Sequence, residues 1–454
     1  MKKSSKRIIS MILAVIMLIG VMGFSVMADD SQYKYYAVLG DSNASGYGMD
    51  AYFENAGSTE AVKEGDLIAG SYPAIIAEEL GIDYVDVQSH CAWRTNEFLH
   101  MIDPDCGIAW DSFFLRALDF VKTSTLVGKG EAIVNAVEKA DFITVDFGSN
   151  DIYSYAIYET YNEFADELEG VLDDLNDIAD GFENIFSDIP GAMTDITAIM
   201  QNPQLALDAI FAAADKLGFL MPLIDFFKAT LDENTAEFET NIVTVVEKIR
   251  ELNPDAKIIM MGVFCPISFD VRVDHKVVLD FKSSSDKRIS GINDYLKNQC
   301  PVKDEYTFVD NSKTECYGIG ALDVQKLLAI DENVKYSAVK MVHPNEYGHQ
   351  YLADQILNAL AAENVTPELT GRYSSIIKRN TLNWNEIDGA VKYNVYRSTS
   401  PDGNYRYIGS SKSDIYYDYL TLFGATYYYK ICAVMDTTGT ITTDFSNTVS
   451  LKAR

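Results

Sequence analysis

Positive charge is scarce in this chain of 454 residues: 37 lysines and arginines stand against 67 aspartates and glutamates, a formal net charge of −30. A nucleic-acid binder needs a basic face to neutralise phosphate, so that class is excluded. Cysteine is sparse as well, with six in the whole sequence, too few for a disulfide scaffold. There is no CxxC, no HExxH and no grouping of the five histidines with cysteines at ligand spacing, so neither a metal nor another cofactor is expected. Beyond the N-terminus no charge-free run reaches membrane-spanning length. What is present is 48% apolar and 12% aromatic residues. That is enough for a full core in two or three domains, and it excludes a disordered or low-complexity chain.

Residues 1–28 read as a secretory signal peptide. Lys2, Lys3, Lys6 and Arg7 precede an apolar stretch from Ile8 to Phe24, and Val26-Met27-Ala28 offers a cleavage exit before Asp29-Asp30. The expectation is a secreted, extracellular protein with no membrane span after signal removal. Export permits disulfides. Cys91 with Cys106 and Cys300 with Cys316 are plausible short-loop pairs, although spacing alone does not decide connectivity.

Charge divides the rest of the chain. Residues 372–454 hold ten bases, seven acids and 11 of the 28 tyrosines, and the segment Glu363–Gly371, with its Pro and Gly, reads as a linker. Residues 29–370 alternate short β-rich runs with helical patterns, which argues an α/β fold with a parallel sheet covered on both faces. Five strands are expected: Tyr35–Leu39, Tyr84–Val87, Phe142–Phe147, Ile258–Val263 and Thr307–Val309. Helical patterns lie between them, such as Tyr72–Leu80 and Phe238–Leu252. The interval 152–237 is too long for one crossover. Apolar residues three or four apart from Phe164 to Ile189, and a strongly apolar stretch over 205–227 interrupted by Pro222, predict a helical insertion. It is either a helical pair packed on the sheet or a cap that offers an apolar wall to an acyl chain.

Three polar segments fall at strand ends or helix starts. Leu39-Gly40-Asp41-Ser42 follows the first strand, Gly148-Ser149-Asn150-Asp151 follows the third, and His343-Pro344-Asn345 precedes the last helix. Open α/β sheets place ligands outside the carboxyl ends of their strands. A hydroxyl, a carboxamide and an imidazole converging there supply a nucleophile, an oxyanion donor and a base. His349, about two turns further on, is expected to be structural, and Trp93 and Arg94 to pack and pair.

These segments resemble the blocks of the GDSL/SGNH hydrolases, and Ser71–Gly81 with His90–Leu99 is similar to the secreted esterase branch of that family. The resemblance implies a three-layer α/β/α fold and ester hydrolysis through an acyl-enzyme. Ser42 would be the nucleophile and His343 the general base. The oxyanion hole would be formed by the N–H groups of Ser42 and Ala92 and the amide of Asn150. Two positions depart from the family pattern. Ala92 stands where glycine is usual, which matters if the backbone needs positive φ. Lys340 stands where an aspartate usually orients the histidine, so a backbone carbonyl of residue 340 or 341 is expected to hold Nδ1–H instead. The expected substrate is a small-molecule or lipid ester. A carbohydrate O-deacetylase, and a catalytically weak surface-binding protein on the same fold, are the alternatives.

The tail reads as an all-β sandwich of short strands, beginning at Ser374–Ile377 and Thr381–Trp384 and ending at Thr448–Leu451, with a turn at Pro401-Asp402-Gly403. Leu382–Ser398 and Gly424–Val434 are similar to fibronectin type III domains. This resemblance implies Trp384 in the core and Tyr427 or Tyr428 at a tyrosine corner. Exposed tyrosines suggest polysaccharide or cell-surface contact.

Overall fold

The computed structural model describes residues 33–52, 66–108, 129–165, 218–265, 270–273, 276–312, 343–363, 365–437, 439 and 441–454. The signal-like stretch, Cys316, Lys340 and most of the predicted insertion stripe lie outside these residues.

Five parallel strands form the central sheet: β1 (Tyr35–Gly40), β2 (Tyr84–Ser89), β3 (Phe142–Asp146), β4 (Lys257–Met261) and β7 (Thr307–Val309), in the order β2-β1-β3-β4-β7. This is the predicted α/β sheet. Alternation along each strand assigns its two faces. Ala37, Leu39, Ile143, Val145, Ile258 and Met260 join one core cluster, and Tyr36, Val38, Phe142, Ile259 and Met261 join the other. Helices α1 (Tyr72–Leu80) and α7 (Glu346–Ala362) contribute to the second cluster. The first takes residues from α2 (Thr95–Ile102), α3 (Lys129–Lys139), α4 (Tyr155–Glu163) and α5 (Leu220–Leu252).

The crossover helix is longer than its sequence pattern implies. α5 runs unbroken from Leu220 to Leu252, and Pro222 sits in its first turn. There the missing N–H removes no helical bond, so the proline starts the helix and does not interrupt it. Phe164, just past α4, packs on Phe219 and Phe226, which pins together the two described flanks of the insertion. After β4 comes an unforeseen antiparallel hairpin, β5 (Asp270–Val273) with β6 (Lys276–Asp280), leading into α6 (Phe281–Asp294). The Asp280 side chain caps α6 by accepting from the Ser283 N–H.

The C-terminal residues form two antiparallel sheets. One contains β10 (Lys392–Ser398), β11 (Arg406–Ser411), β13 (Thr426–Val434) and β14 (Val449–Lys452). The other contains β8 (Leu369–Ser374), β9 (Arg379–Trp384) and β12 (Ile415–Asp418). The first strand therefore starts at Leu369, not near Ser374, and Ser374–Ile377 is the strand's end and the turn after it. Leu382, Trp384, Val395, Tyr429 and Ile431 are buried in its core. The Tyr427 hydroxyl accepts the Leu422 N–H at 2.9 Å.

Cys91 and Cys106 are not joined by a disulfide. Cys91 lies in a small cluster with Tyr47, Met49, Tyr52 and Ile68, whereas Cys106 borders the main core. Among the described residues, no helix is long and apolar enough to cross a membrane.

Candidate active site

Ser42 sits in a tight turn directly after β1. Asp41 builds that turn: its Oδ1 accepts the Asn43 N–H at 2.9 Å and the Asn43 Nδ2 at 3.1 Å. An aspartate that bonds the backbone two residues on is a standard turn former. The Ser42 carbonyl accepts the Tyr47 N–H at 3.0 Å and the Ser45 hydroxyl at 2.9 Å. These bonds fix the nucleophile's backbone without using its own N–H.

His343 lies two residues before Asn345, whose side chain caps α7 by accepting the Gly348 N–H at 3.0 Å. A capped helix start holds the imidazole in place. His343 Nε2 is 2.8 Å from Ser42 Oγ, across a sequence separation of 301 residues. The Tyr47 ring packs edge-on against the imidazole at 5.1 Å, a support that sequence reasoning missed. Tyr47 stands in the glycine-flanked Gly46-Tyr47-Gly48 beside the nucleophile, which was the available signal. The carbonyl expected to hold Nδ1 belongs to residues outside those described.

The second turn follows β2. The Trp93 N–H donates to the His90 carbonyl at 3.3 Å, and Ala92 between them has φ 64°. This is the turn position that glycine favours. The family's usual glycine is thus replaced by alanine in the conformation that penalises it. Ala92→Gly should therefore raise stability by about 0.5–1 kcal/mol with kcat within about twofold. Urea denaturation with a parallel rate assay checks this, and an unchanged or lowered midpoint would mean that the position carries no strain.

Asn150 ties the two turns together. Its Nδ2 donates to Asp41 Oδ2 at 3.2 Å and to the Trp93 carbonyl at 3.3 Å, and its Oδ1 accepts the Ser154 hydroxyl at 2.9 Å. Gly148, two residues earlier, has φ 120°, and a Cβ there would lie 2.5 Å from Val263 Cγ2, so the approach to Asn150 demands glycine. The structure thus brings Ser42, the Ala92 turn, Asn150 and His343 to the carboxyl edge of the sheet. Arg94 forms a buried ion pair with Glu97 at 2.7 Å and lies 3.7 Å from the centroid of the Tyr155 ring. Trp93 is fully buried and packs on His90. Both pack and pair, as expected. His349 is also buried, with Nδ1 accepting the Tyr72 N–H at 3.2 Å.

Beneath the site lie carboxyls that the sequence reading left without a role. Asp146 ends β3, accepts from the Tyr72 hydroxyl, and is buried with Asp41. Burial pushes Asp146 up from 3.8 to about 7. Asp41 is also raised, by burial first and by the charge of Asp146 second. Asp151 accepts the Thr95 N–H at 2.9 Å as well as the Thr95 hydroxyl, anchoring the start of α2. Burial raises it to about 6 against those bonds. Burial thus disfavours negative charge on Asp41 and Asp146, beside the nucleophile's turn.

The sign of the pH dependence follows. Between about 4 and about 7 the folded chain keeps a proton on Asp146 that the unfolded chain has released, so Asp146 costs stability increasingly as pH rises through that window. His349, pushed down from 6.5 to about 3 by burial and then by His343, acts in the opposite sense between about 3 and 6.5, equally in wild type and variant. The stability of Asp146→Asn relative to wild type should therefore rise from pH 4 to pH 7. Denaturation midpoints at several pH values test this, and a flat difference would remove Asp146 as a buried titrating group.

A model of the GDSL-like lipase/acylhydrolase family matches residues 36–356 of the chain. Among solved structures, a phospholipase A1 from Streptomyces albidoflavus aligns at 13% identity over 70% of this chain and 95% of its own, with a TM-score of 0.35. An extracellular lipase from Streptomyces rimosus aligns at 16% identity over 70% of this chain and 94% of its own, with a TM-score of 0.32. A Fn3-like protein from Clostridium thermocellum aligns at 33% identity over 19% of this chain and 88% of its own, with a TM-score of 0.18. A search of curated protein sequences finds no match.

Proposed function

The chain belongs to the GDSL-like lipase/acylhydrolase family and is a carboxylic-ester hydrolase; from that premise we propose that it cleaves acyl or lipid esters outside the cell, through an acyl-enzyme on Ser42. The observation that carries this reading is the 2.8 Å approach of His343 Nε2 to Ser42 Oγ. Ser42 Oγ attacks the ester carbonyl carbon while its proton passes to His343 Nε2. The tetrahedral oxyanion is held by the N–H groups of Ser42 and Ala92 and by Asn150 Nδ2, which turns to it the N–H that otherwise donates to the Trp93 carbonyl. His343 then protonates the departing alcohol, and water attacks the acyl-enzyme with His343 again as base.

The preference for acyl chains is supported by apolar side chains on the flanks of the insertion. Ile157 and Tyr161 on α4, and Met221 at the start of α5, are large and exposed. Residues 152–237 accordingly act as a cap. Residues 1–28 serve as the export signal, and the C-terminal β unit, with its Trp384 core and Tyr427 corner, is a fibronectin type III-like module. Hydrolysis of acetyl, butyryl and octanoyl nitrophenyl esters tests the reading. Ile157→Ser combined with Met221→Ser should lower kcat/KM for octanoyl ester about tenfold more than for acetyl ester, since each lost methylene-sized contact costs discrimination. An equal loss on both esters would return the insertion to a purely structural role.

A further inference from the structure

The two ends of the C-terminal sandwich differ in chemistry. At one end, Ile376 is 92% exposed on the β8–β9 turn, and Leu420, Leu422 and Phe423 on the β12–β13 connection are 79%, 74% and 88% exposed. These two loops are neighbours, because Asp418 at the end of β12 pairs with Asn380 at the start of β9. Water-exposed aliphatic side chains of this size, grouped on adjacent loops, mark an interaction surface. The bond from Leu422 N–H to Tyr427 and the bond from Arg397 to the Leu420 carbonyl hold the second loop in shape. The apolar side chains are therefore presented on a built turn.

Bases surround this tip. Lys378 ends the first loop, and Arg379 donates to the Tyr419 hydroxyl at 2.5 Å and lies 3.7 Å from the Tyr417 ring centroid. Lys452 pairs with Thr426 beside the second loop, and the following Ala453 bonds to Gly424 and Ala425, which brings Arg454 to the same end. The β10–β11 connection at this end adds Arg406 and one acid, Asp402. Asp418 is buried and bonded to Arg397 and Tyr429. The opposite end reverses the sign: it carries Glu386, Asp388, Asp414 and the buried Asp436 against Lys392 and Lys412. The chain enters the sandwich at that acidic end, through Leu369 at the start of β8.

We propose that this tip docks on an anionic lipid bilayer, with Leu420, Leu422, Phe423 and Ile376 entering the acyl boundary and the bases meeting lipid phosphates. The charge pattern argues for this occupant. A chain with net charge −30 concentrates exposed bases around its most exposed aliphatic group, which matches the combination that holds peripheral proteins to negatively charged membranes. The most exposed side chains of the group are aliphatic and phenyl, and the two exposed tyrosines beside them, Tyr417 and Tyr419, have the Arg379 guanidinium against their rings, whereas stacking on sugar rings would call for open tyrosine or tryptophan faces. Docking here does not depend on the hydrolase reading.

Flotation with vesicles tests the proposal, using the chain from Asp29 onward so that the apolar leader does not itself partition. Vesicles of phosphatidylcholine alone are compared with vesicles containing roughly a third phosphatidylglycerol, and Ser42→Ala is used so that no lipid is consumed. The expected result is salt-sensitive binding to the anionic vesicles. Combined Leu420→Ser, Leu422→Ser and Phe423→Ser should weaken it at least about 100-fold and leave hydrolysis of soluble acetyl ester by the otherwise wild-type chain unchanged. Binding that survives the triple substitution overturns the proposal. So does absence of vesicle binding, whether the tip instead retains the chain on insoluble polysaccharide or drives concentration-dependent dimers in sedimentation. If Ser42→Ala kept full esterase activity, the catalytic reading would fail while the flotation result stood unaffected.

Discussion

Replacing His343 by alanine is expected to lower kcat by about 10⁴-fold or more, because an unassisted serine hydroxyl is a weak nucleophile at neutral pH. The structure places His343 Nε2 at 2.8 Å from Ser42 Oγ. Lys340→Ala should by contrast leave kcat within about tenfold, because a lysine three residues before the histidine neither fixes the imidazole tautomer nor stabilises the imidazolium. Steady-state rates on a soluble ester, with circular dichroism to verify folding, separate the two. Equal damage from both substitutions would mean that Lys340 acts in the dyad.

Asn150→Ala carries the second large effect, a fall in kcat of about 100- to 1,000-fold with KM within a few-fold, as expected for loss of an oxyanion donor. The structure adds a stability component. Asn150 Nδ2 also bonds Asp41 Oδ2 and the Trp93 carbonyl, so its removal unties the nucleophile's turn from the Ala92 turn. A loss of about 1–2 kcal/mol should accompany the kinetic defect. Unchanged kcat would remove Asn150 from the mechanism, and a raised KM at unchanged kcat would assign it to ground-state binding alone.

Much of this arrangement was legible in the sequence. The inner strands declare themselves because β1, β3 and β4 are buried on both faces and therefore read as short apolar runs, as in Phe142–Val145 and Ile258–Met261. The three chemical segments are recognisable because each combines a reactive or polar side chain with the turn or cap residues that position it. Asp41 beside Ser42 and Asn345 after His343 are examples. Other features leave no such mark. In a chain with 67 acids, nothing in the pattern distinguishes the buried Asp146 and Asp151 from carboxylates on a solvated face. Their burial is a consequence of strand ends and helix starts meeting in three dimensions. Pro222 misled for a related reason: a proline ends a helix or begins one, and only the positions of its neighbours decide. Ala92 was visible as a departure, but the positive φ that makes it strained belongs to the turn between His90 and Trp93.

The central claim is that ester cleavage passes through a covalent acyl group on Ser42. Its most direct test is to treat the active chain with a fluorophosphonate and locate the adduct by peptide mass spectrometry, alongside Ser42→Ala. The account predicts one adduct, on Ser42, formed in step with loss of esterase activity and absent from the variant. Full inactivation with Ser42 unmodified, or esterase activity retained by Ser42→Ala, would contradict it.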